Sequence, residues 1–384
     1  MSKAFTINNK DLFYNIHEFP LLIKSFPVPY KVSIINSIKE FQDLVTTFDF
    51  IIIDENVGKQ YMQLPLKKGC TVFNVVATEE NKCMSTVLKL IDHFIESNIS
   101  KGSAVIAIGG GIIQDLAACA CALFRRGQPF TYLPTTSLGQ LDSCVGAKCA
   151  INTSKAKNII GLFSAPREVA IPTFMIKSMP FNEHRAGMSE MLRLCLTASW
   201  EAVDFYTRLF PSISFPASID LETYVQALSV SLSIKKAVVD YDEYEKDVRR
   251  SMNYGHTFGH AIEKLTNFAV PHGLGVLVGM HMANTFSLMN GLMEKETYLR
   301  VGEAIRMTAS GVQLNIEVMK SLKAEDIISQ FKFDKKGDGV SVPLILIKTP
   351  GDMMFYRHRF DSNSDLINSS IRVSLNEFTI WIDK

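Results

Sequence analysis

A chain of 384 residues is long enough for two ordinary domains, and at 47% hydrophobic and 21% charged it is globular, not disordered. Forty basic residues against thirty-nine acidic ones exclude a broad basic face for nucleic acid, though not a local patch for a small phosphate. The start MSKAFTINNKDLF lacks the apolar stretch of a leader, and no run of about 18 uncharged apolar residues occurs, so a cytoplasmic protein with no membrane partner is expected.

In chain order, PYKVSII, DFIIIDEN, TVFNVVA, SAVIAIGGG and PFTYLPTT read as strands: short, rich in β-branched and aromatic residues, and closed by turn residues. MSTVLKLIDHFIES, between the third and fourth, carries apolar residues at helical spacing. Such alternation predicts a parallel sheet with helices on both faces, binding ligands beyond the carboxyl ends of its strands. From about Met179 long helical periodicity takes over, in residues 183–206, in 221–245 and in the histidine-rich segment NYGHTFGHAIEKLTNFAVPHGLG. VPLILIK and DMMFYR read as a late hairpin. The fold class expected is α/β: a Rossmann-like parallel-sheet domain over residues 1–178, then a mostly α-helical domain over 179–384. Seven scattered cysteines in apolar contexts predict buried, reduced thiols.

Three groups of residues carry chemistry. The strand in AVIAIGGGIIQD runs into Gly109, Gly110 and Gly111 and then a helix, a turn whose backbone N–H groups suit a phosphate. Asp54 and Asn56 close an earlier strand, where they could bind ribose hydroxyls or simply form a turn. His256, His260 and His272 are three of eight histidines in the chain. On a helix, His256 and His260 share a face at i and i+4, and His272 lies beyond Pro271. Two imidazoles with a carboxylate, for which Glu190 is the best donor, make a catalytic zinc pattern; satisfied core histidines are the alternative. A metalloprotease is excluded, because HTFGH has Thr257 where the general-base glutamate belongs. Asp142, Lys148, Lys157, Asn158, Lys235, Arg249, Asn253, Lys335 and Lys336 form a polar inventory for an acidic, phosphorylated, polyhydroxylated substrate if they converge.

With GGGIIQDLA, RRG, PTTSLGQLDSCVGAK, KNIIG, AGMSE, YGHTFGHAIE, PHG and DKK in this order, the chain resembles the dehydroquinate synthases and their relatives, the sugar phosphate cyclases. The resemblance runs from about Asp54 to Lys336. It implies NAD bound by Asp54, Asn56, Glu79, Lys82, Gly110, Gly111, Asp115, Thr135, Thr136, Lys157 and Glu183. It implies zinc, with cobalt as a substitute, on Glu190, His256 and His272. His260 would lie near the substrate phosphate, and Asp142, Lys148, Asn158, Lys235, Arg249, Asn253 and Lys335 would grip the substrate. Arg126 would reach the phosphate of a neighbouring subunit, which implies a homodimer. Catalysis would occur in a cleft between the domains: hydride removal, phosphate elimination, hydride return, ring opening and aldol closure of a carbocycle.

Three positions depart from that family's pattern. Arg193 stands in place of lysine, Leu274 in place of the glutamate after HisGly, and Ala156 in place of the glycine before Lys157. Arg193 would re-cut the catalytic pocket, and Leu274 would leave the metal more labile. The reaction expected is dehydroquinate synthase-type chemistry on a seven-carbon keto-acid phosphate. The alternatives are a specialised cyclase on an amino analogue or a sugar phosphate (sedoheptulose 7-phosphate or glucose 6-phosphate type), an NAD- and metal-dependent alcohol dehydrogenase, and an inactive relative.

Overall fold

The computed structural model describes residues 3–63, 66–331, 340–359 and 364–383. Lys335 and Lys336 lie outside the described residues. The chain forms two compact units: residues 17–179 with 224–244, and residues 1–16, 180–223 and 245–384. The chain passes between the units at 16/17, 179/180, 223/224 and 244/245.

The chain opens with β1 (Lys3–Ile7) and β2 (Lys10–Tyr14). It continues through β3 (Leu21–Ile23), β4 (Tyr30–Ile35), α1 (Ile38–Val45), β5 (Phe50–Asp54), α2 (Glu55–Tyr61), β6 (Thr71–Val75) and α3 (Met84–Glu96). Then come β7 (Val105–Gly109), α4 (Gly111–Leu123), β8 (Phe130–Pro134), β9 (Lys148–Ile151), β10 (Ile160–Phe163) and β11 (Glu168–Pro172). The helices α5 (Phe181–Ala198), α6 (Trp200–Ile213), α7 (Leu221–Tyr241), α8 (His256–Leu265), α9 (His272–Met289), α10 (Lys295–Ala309), α11 (Ile316–Ser321) and α12 (Ala324–Phe331) follow. The hairpin β12 (Ser341–Thr349) and β13 (Asp352–Arg359) precedes the last helix, α13 (Ser364–Ile382).

In the first unit seven strands stand in the order β3-β4-β11-β8-β7-β5-β6, parallel throughout except for the edge pair β3–β4. The runs FIIID, VIAIG and FTYLP are buried on both faces, which is why they read as continuous apolar strands. Phe41, Val45, Ile51, Ile53, Ile106, Ile108 and Leu133 pack one face of this sheet. β6 and β7 flank β5 on opposite sides, so the strand order reverses at β5/β7, and Asp54 and Gly109 end those two strands.

The second unit is helical around α9 but is not all helix. A sheet ordered β12-β13-β1-β2 joins the predicted hairpin to the first strands of the chain, with β1 parallel to β13. The helical pattern over 183–206 is broken at Ser199, whose backbone is extended and whose hydroxyl accepts the Ala202 N–H, ending α5 and capping α6.

Candidate active site

In the second unit four side chains converge. Glu190 sits on α5, which is buried from His184 to Ala198. His256 opens α8, with His260 one turn on, and His272 opens α9 directly after Pro271. Glycines make this convergence sterically feasible. A Cβ on Gly273 would stand 2.0 Å from the Ala186 carbonyl oxygen, so the start of α9 presses on α5 one turn before Glu190. A Cβ on Gly279 would stand 2.0 Å from the Gly255 carbonyl oxygen, and one on Gly259 would stand 2.9 Å from the Gly275 carbonyl carbon. Helices α8 and α9 therefore cross backbone to backbone, and this brings their first residues together.

In two imidazoles Nδ1 is engaged by a hydrogen bond and Nε2 faces the same carboxylate. His256 Nδ1 donates to the Tyr254 carbonyl (3.2 Å) and His272 Nδ1 to Glu263 Oε1 (2.9 Å). Their Nε2 atoms stand 3.9 and 3.5 Å from Glu190 Oε1, which is buried and has no hydrogen-bond partner. Donors about 2.1 Å from a tetrahedral ion stand roughly 3.4 Å apart, so the three residues fit a divalent metal. The other Glu190 oxygen accepts from Arg193 Nε at 2.5 Å, and Arg193 Nη1 reaches Met252 Sδ at 3.3 Å. Burial opposes charge on His272, but the Glu263 and Glu190 carboxylates outweigh it and raise the ring's pKa to about 9, against a lowering by Arg193. His260 is exposed and stacked on His272, with ring centroids 5.6 Å apart. One ligand atom from each histidine lies within 4.8 Å of the others, so geometry alone also admits a three-histidine set.

The same unit holds Arg249, which is buried at 2% exposure. Asn253 donates its amide to Glu245 Oε1 (2.6 Å) and to the Arg250 carbonyl (2.9 Å). Glu183 lies exposed in the first turn of α5.

The first unit holds the residues expected around a dinucleotide apart from Glu183. Gly110 stands just before α4 and no side chain caps the helix, so backbone donors remain for an anion. A Cβ on Gly110 would meet Thr136 at 2.7 Å, whereas one on Gly111 would meet nothing within 4 Å. That open space at the helix start fits a cofactor phosphate. Thr135 donates its backbone N–H to the Gly109 carbonyl at 3.0 Å, and the Thr136 hydroxyl accepts from Gly139 N–H at 3.1 Å. Asp54 also caps α2, accepting the N–H of exposed Asn56 at 2.8 Å, so its turn-forming role is real. Lys82 pairs with Asp115 at 2.5 Å and donates to Asn158 Oδ1 at 2.8 Å; Lys157 stands 3.2 Å from Glu79. Lys235 is buried on α7, 2.7 Å from Asp142 Oδ1 and donating to the Asp142 carbonyl at 2.6 Å. Lys148 is exposed at the start of β9, and Arg126 is exposed in a turn with φ +61°.

Sequence reasoning missed Glu263, Glu245 and Asn152. Only Glu263 had a local signal, being seven residues after His256 and three after His260 on one helix face. All seven cysteines are free thiols, with Cys70 and Cys83 only half-buried and the other five buried.

A phosphate-type turn on a parallel sheet in one unit, and a histidine–carboxylate centre in the other, are the parts of an enzyme using a dinucleotide and a divalent metal. Sequence comparison resolves that class further. Residues 72–186 match the 3-dehydroquinate synthase N-terminal family and residues 187–337 its C-terminal family. The chain is 31% identical over 339 residues to a 3-dehydroquinate synthase of Shewanella denitrificans, covering 87% of this chain and 93% of that protein. Among solved structures, 2-deoxy-scyllo-inosose synthase with carbaglucose-6-phosphate, NAD+ and Co2+ superposes with a TM-score of 0.78 at 22% identity, over 92% of this chain and 99% of that one. 2-epi-5-epi-valiolone synthase from Streptomyces hygroscopicus subsp. jinggangensis, with NAD+ and Zn2+, gives 0.73 at 20%, over 93% and 98%. The chain belongs to the dehydroquinate synthase family of sugar phosphate cyclases.

Proposed function

We propose that this cyclase eliminates phosphate and closes a carbocycle from a seven-carbon keto-acid phosphate by dehydroquinate synthase-type chemistry. The observation that carries the reading is the buried Glu190 Oε1, without a hydrogen-bond partner, beside the Nε2 atoms of His256 and His272. Those three would hold zinc or cobalt. Gly110, Gly111, Thr135, Thr136, Asp54, Asn56, Glu79, Lys82, Asp115, Lys157 and Glu183 would serve NAD. When bound, NAD takes up and returns a hydride, and the metal acidifies a coordinated hydroxyl.

The chain's own residues bind and orient. Arg249 presents a planar fork suited to a bidentate carboxylate, and its burial supports a desolvated grip. The Asn253 amide nitrogen is engaged twice, which leaves Oδ1 as the acceptor for a substrate hydroxyl. Asp142 pairs with the buried Lys235 ammonium and would orient it toward an anionic or hydroxyl partner. His260, Lys148, Asn158 and Lys335 complete the grip, and Arg126 would serve the phosphate of a neighbouring subunit in a homodimer. The protein would work in the cytoplasm.

A neutral sugar phosphate or an amino analogue is the second reading, favoured by the Arg193 guanidinium where relatives place an ammonium. The test uses purified protein, substoichiometric NAD and matched carboxylated and neutral substrates, following phosphate and NADH together. The proposal expects many turnovers per NAD, no lasting NADH, and preference for the carboxylated substrate. NADH matching product one-to-one would convert the reading to a dehydrogenase, and preference for the neutral substrate would move it to the second reading.

A further inference from the structure

Asn152 follows β9, half-buried, and belongs to none of the motifs above. Its side chain joins two residues with different assigned tasks. The amide nitrogen donates to the Glu79 carboxylate (Oε2, 2.8 Å) and to the Glu79 carbonyl (3.0 Å). The amide oxygen accepts the backbone N–H of Asn158 at 2.9 Å. Its backbone is fixed as well: Asn152 N–H donates to the Lys82 carbonyl at 2.8 Å, and Asn152 bridges Cys83 in parallel register.

Asn158 is held in the left-handed region, with φ +51°. Its backbone is tied to Asn152 and its side-chain oxygen to Lys82, which in turn pairs with Asp115. The amide does two jobs at position 152 through two different atoms, donating to a carboxylate from its nitrogen and accepting from an N–H at its oxygen. Aspartate would keep the acceptor but set a second carboxylate against Glu79. Leucine would keep the approximate volume and lose both bonds.

We propose that Asn152 is a positioning residue that locks the cofactor-side Glu79 to the substrate-side Asn158. The roles of Glu79 and Asn158 rest on the cyclase reading; the hydrogen-bonded lock does not. Because the lock spans both, loosening it moves both binding functions together, whereas loosening only its Glu79 side moves NAD binding first.

The experiment is calorimetric titration with NAD alone, followed by steady-state kinetics. Asn152→Asp should weaken NAD binding about tenfold or more, since it replaces a charge-assisted hydrogen bond by like-charge contact. It should change the KM for the phosphorylated substrate much less, because the bond to Asn158 N–H survives. Asn152→Leu should raise both the NAD Kd and the substrate KM. Glu79→Gln combined with Asn152→Asp rebuilds the bond with donor and acceptor exchanged, so the double variant should bind NAD more tightly than the two single losses multiplied together. Zinc affinity should be unchanged in every variant.

Equal NAD affinity in wild type and Asn152→Asp would overturn the proposal, as would a double variant showing only the product of the single losses. If Asn152→Asp does not fold, a folded, NAD-binding double variant supports the lock and an unfolded one overturns it. A wild-type chain that binds no NAD would instead overturn the cyclase reading, a distinguishable result.

Discussion

Gly279→Ala tests whether the backbone-to-backbone crossing of α8 and α9 builds the metal centre. The added Cβ would lie 2.0 Å from the Gly255 carbonyl oxygen and 2.8 Å from the Gly259 nitrogen, both backbone atoms that no rotamer change can move. An ordinary carbon–oxygen contact is over 3 Å, so the helices must part by roughly 1 Å, and overpacking of this kind costs about 1–3 kcal/mol. His256 and His272 sit at the starts of those helices. Metal–ligand distances hold to within roughly 0.2 Å, so parting the helices should also weaken metal binding. Gly302→Ala is the matched control. It lies inside α10, where a Cβ meets nothing within 4 Å, so alanine should stabilise the chain by about 0.5–1 kcal/mol through helix propensity. The assays are thermal melting of the metal-free chain and zinc competition against a chromophoric chelator. Gly279→Ala should lower both stability and zinc affinity, and Gly302→Ala should raise the first and leave the second alone. If Gly279→Ala matches wild type in both assays, the crossing does not set the site.

Chelation should abolish activity, with zinc or cobalt restoring it; His272→Ala should lose metal where His260→Ala retains it, and the reverse would replace Glu190–His256–His272 by another ligand set. Arg249→Leu should cut turnover of a carboxylated substrate by well over tenfold and spare a neutral one, since a charged hydrogen bond is worth roughly 1.5–3 kcal/mol. His184 is fully buried, donates from Nε2 to the Ile213 carbonyl at 2.6 Å, and has its pKa pushed down by burial to about 4. The unfolded ring protonates near 6.5, so the stability it confers is complete above that pH and is lost as pH falls toward 4. That loss is about 3 kcal/mol. Melting of wild type against His184→Gln between pH 7 and 4.5 should show the variant with a shallower pH dependence.

What the sequence discloses follows from how local each signal is. FIIID and VIAIG announce strands because both faces of a central parallel strand are buried, and Pro271 announces the start of α9 because proline fits just before a helix. The β1–β13 pairing leaves no local mark, since its partners are some 345 residues apart along the chain: Thr6 stands beside Asp352. The break at Ser199 is hidden because the apolar period runs through it, and a serine declares itself a cap only once its backbone is extended. The site divides the same way. His256, His260 and His272 are conspicuous because histidine is scarce and these are close in sequence, whereas Asn152 is one asparagine among many until folding sets it against Glu79.

Leu274 and Arg193 bear on how firmly the metal is held. The expectation from Leu274 alone is a labile ion, because a polar neighbour of His272 is missing. In the structure Leu274 is fully buried, and the hydrogen bond that orients His272 comes from Glu263 on α8. Arg193, three residues after Glu190 on α5, holds one carboxylate oxygen and so turns the other toward the imidazoles. Each of these two ligands thus has its own support, and neither support depends on position 274. Glu263→Ala should therefore weaken zinc on the order of 10–100-fold, as loss of a carboxylate behind a ligating histidine does. Leu274→Glu should not tighten zinc; it places a carboxylate at a fully buried position and should lower the melting temperature of the metal-free chain. Competition titrations on the two variants decide the matter: if Leu274→Glu tightens zinc while Glu263→Ala leaves it unchanged, the support for His272 has been assigned to the wrong residue.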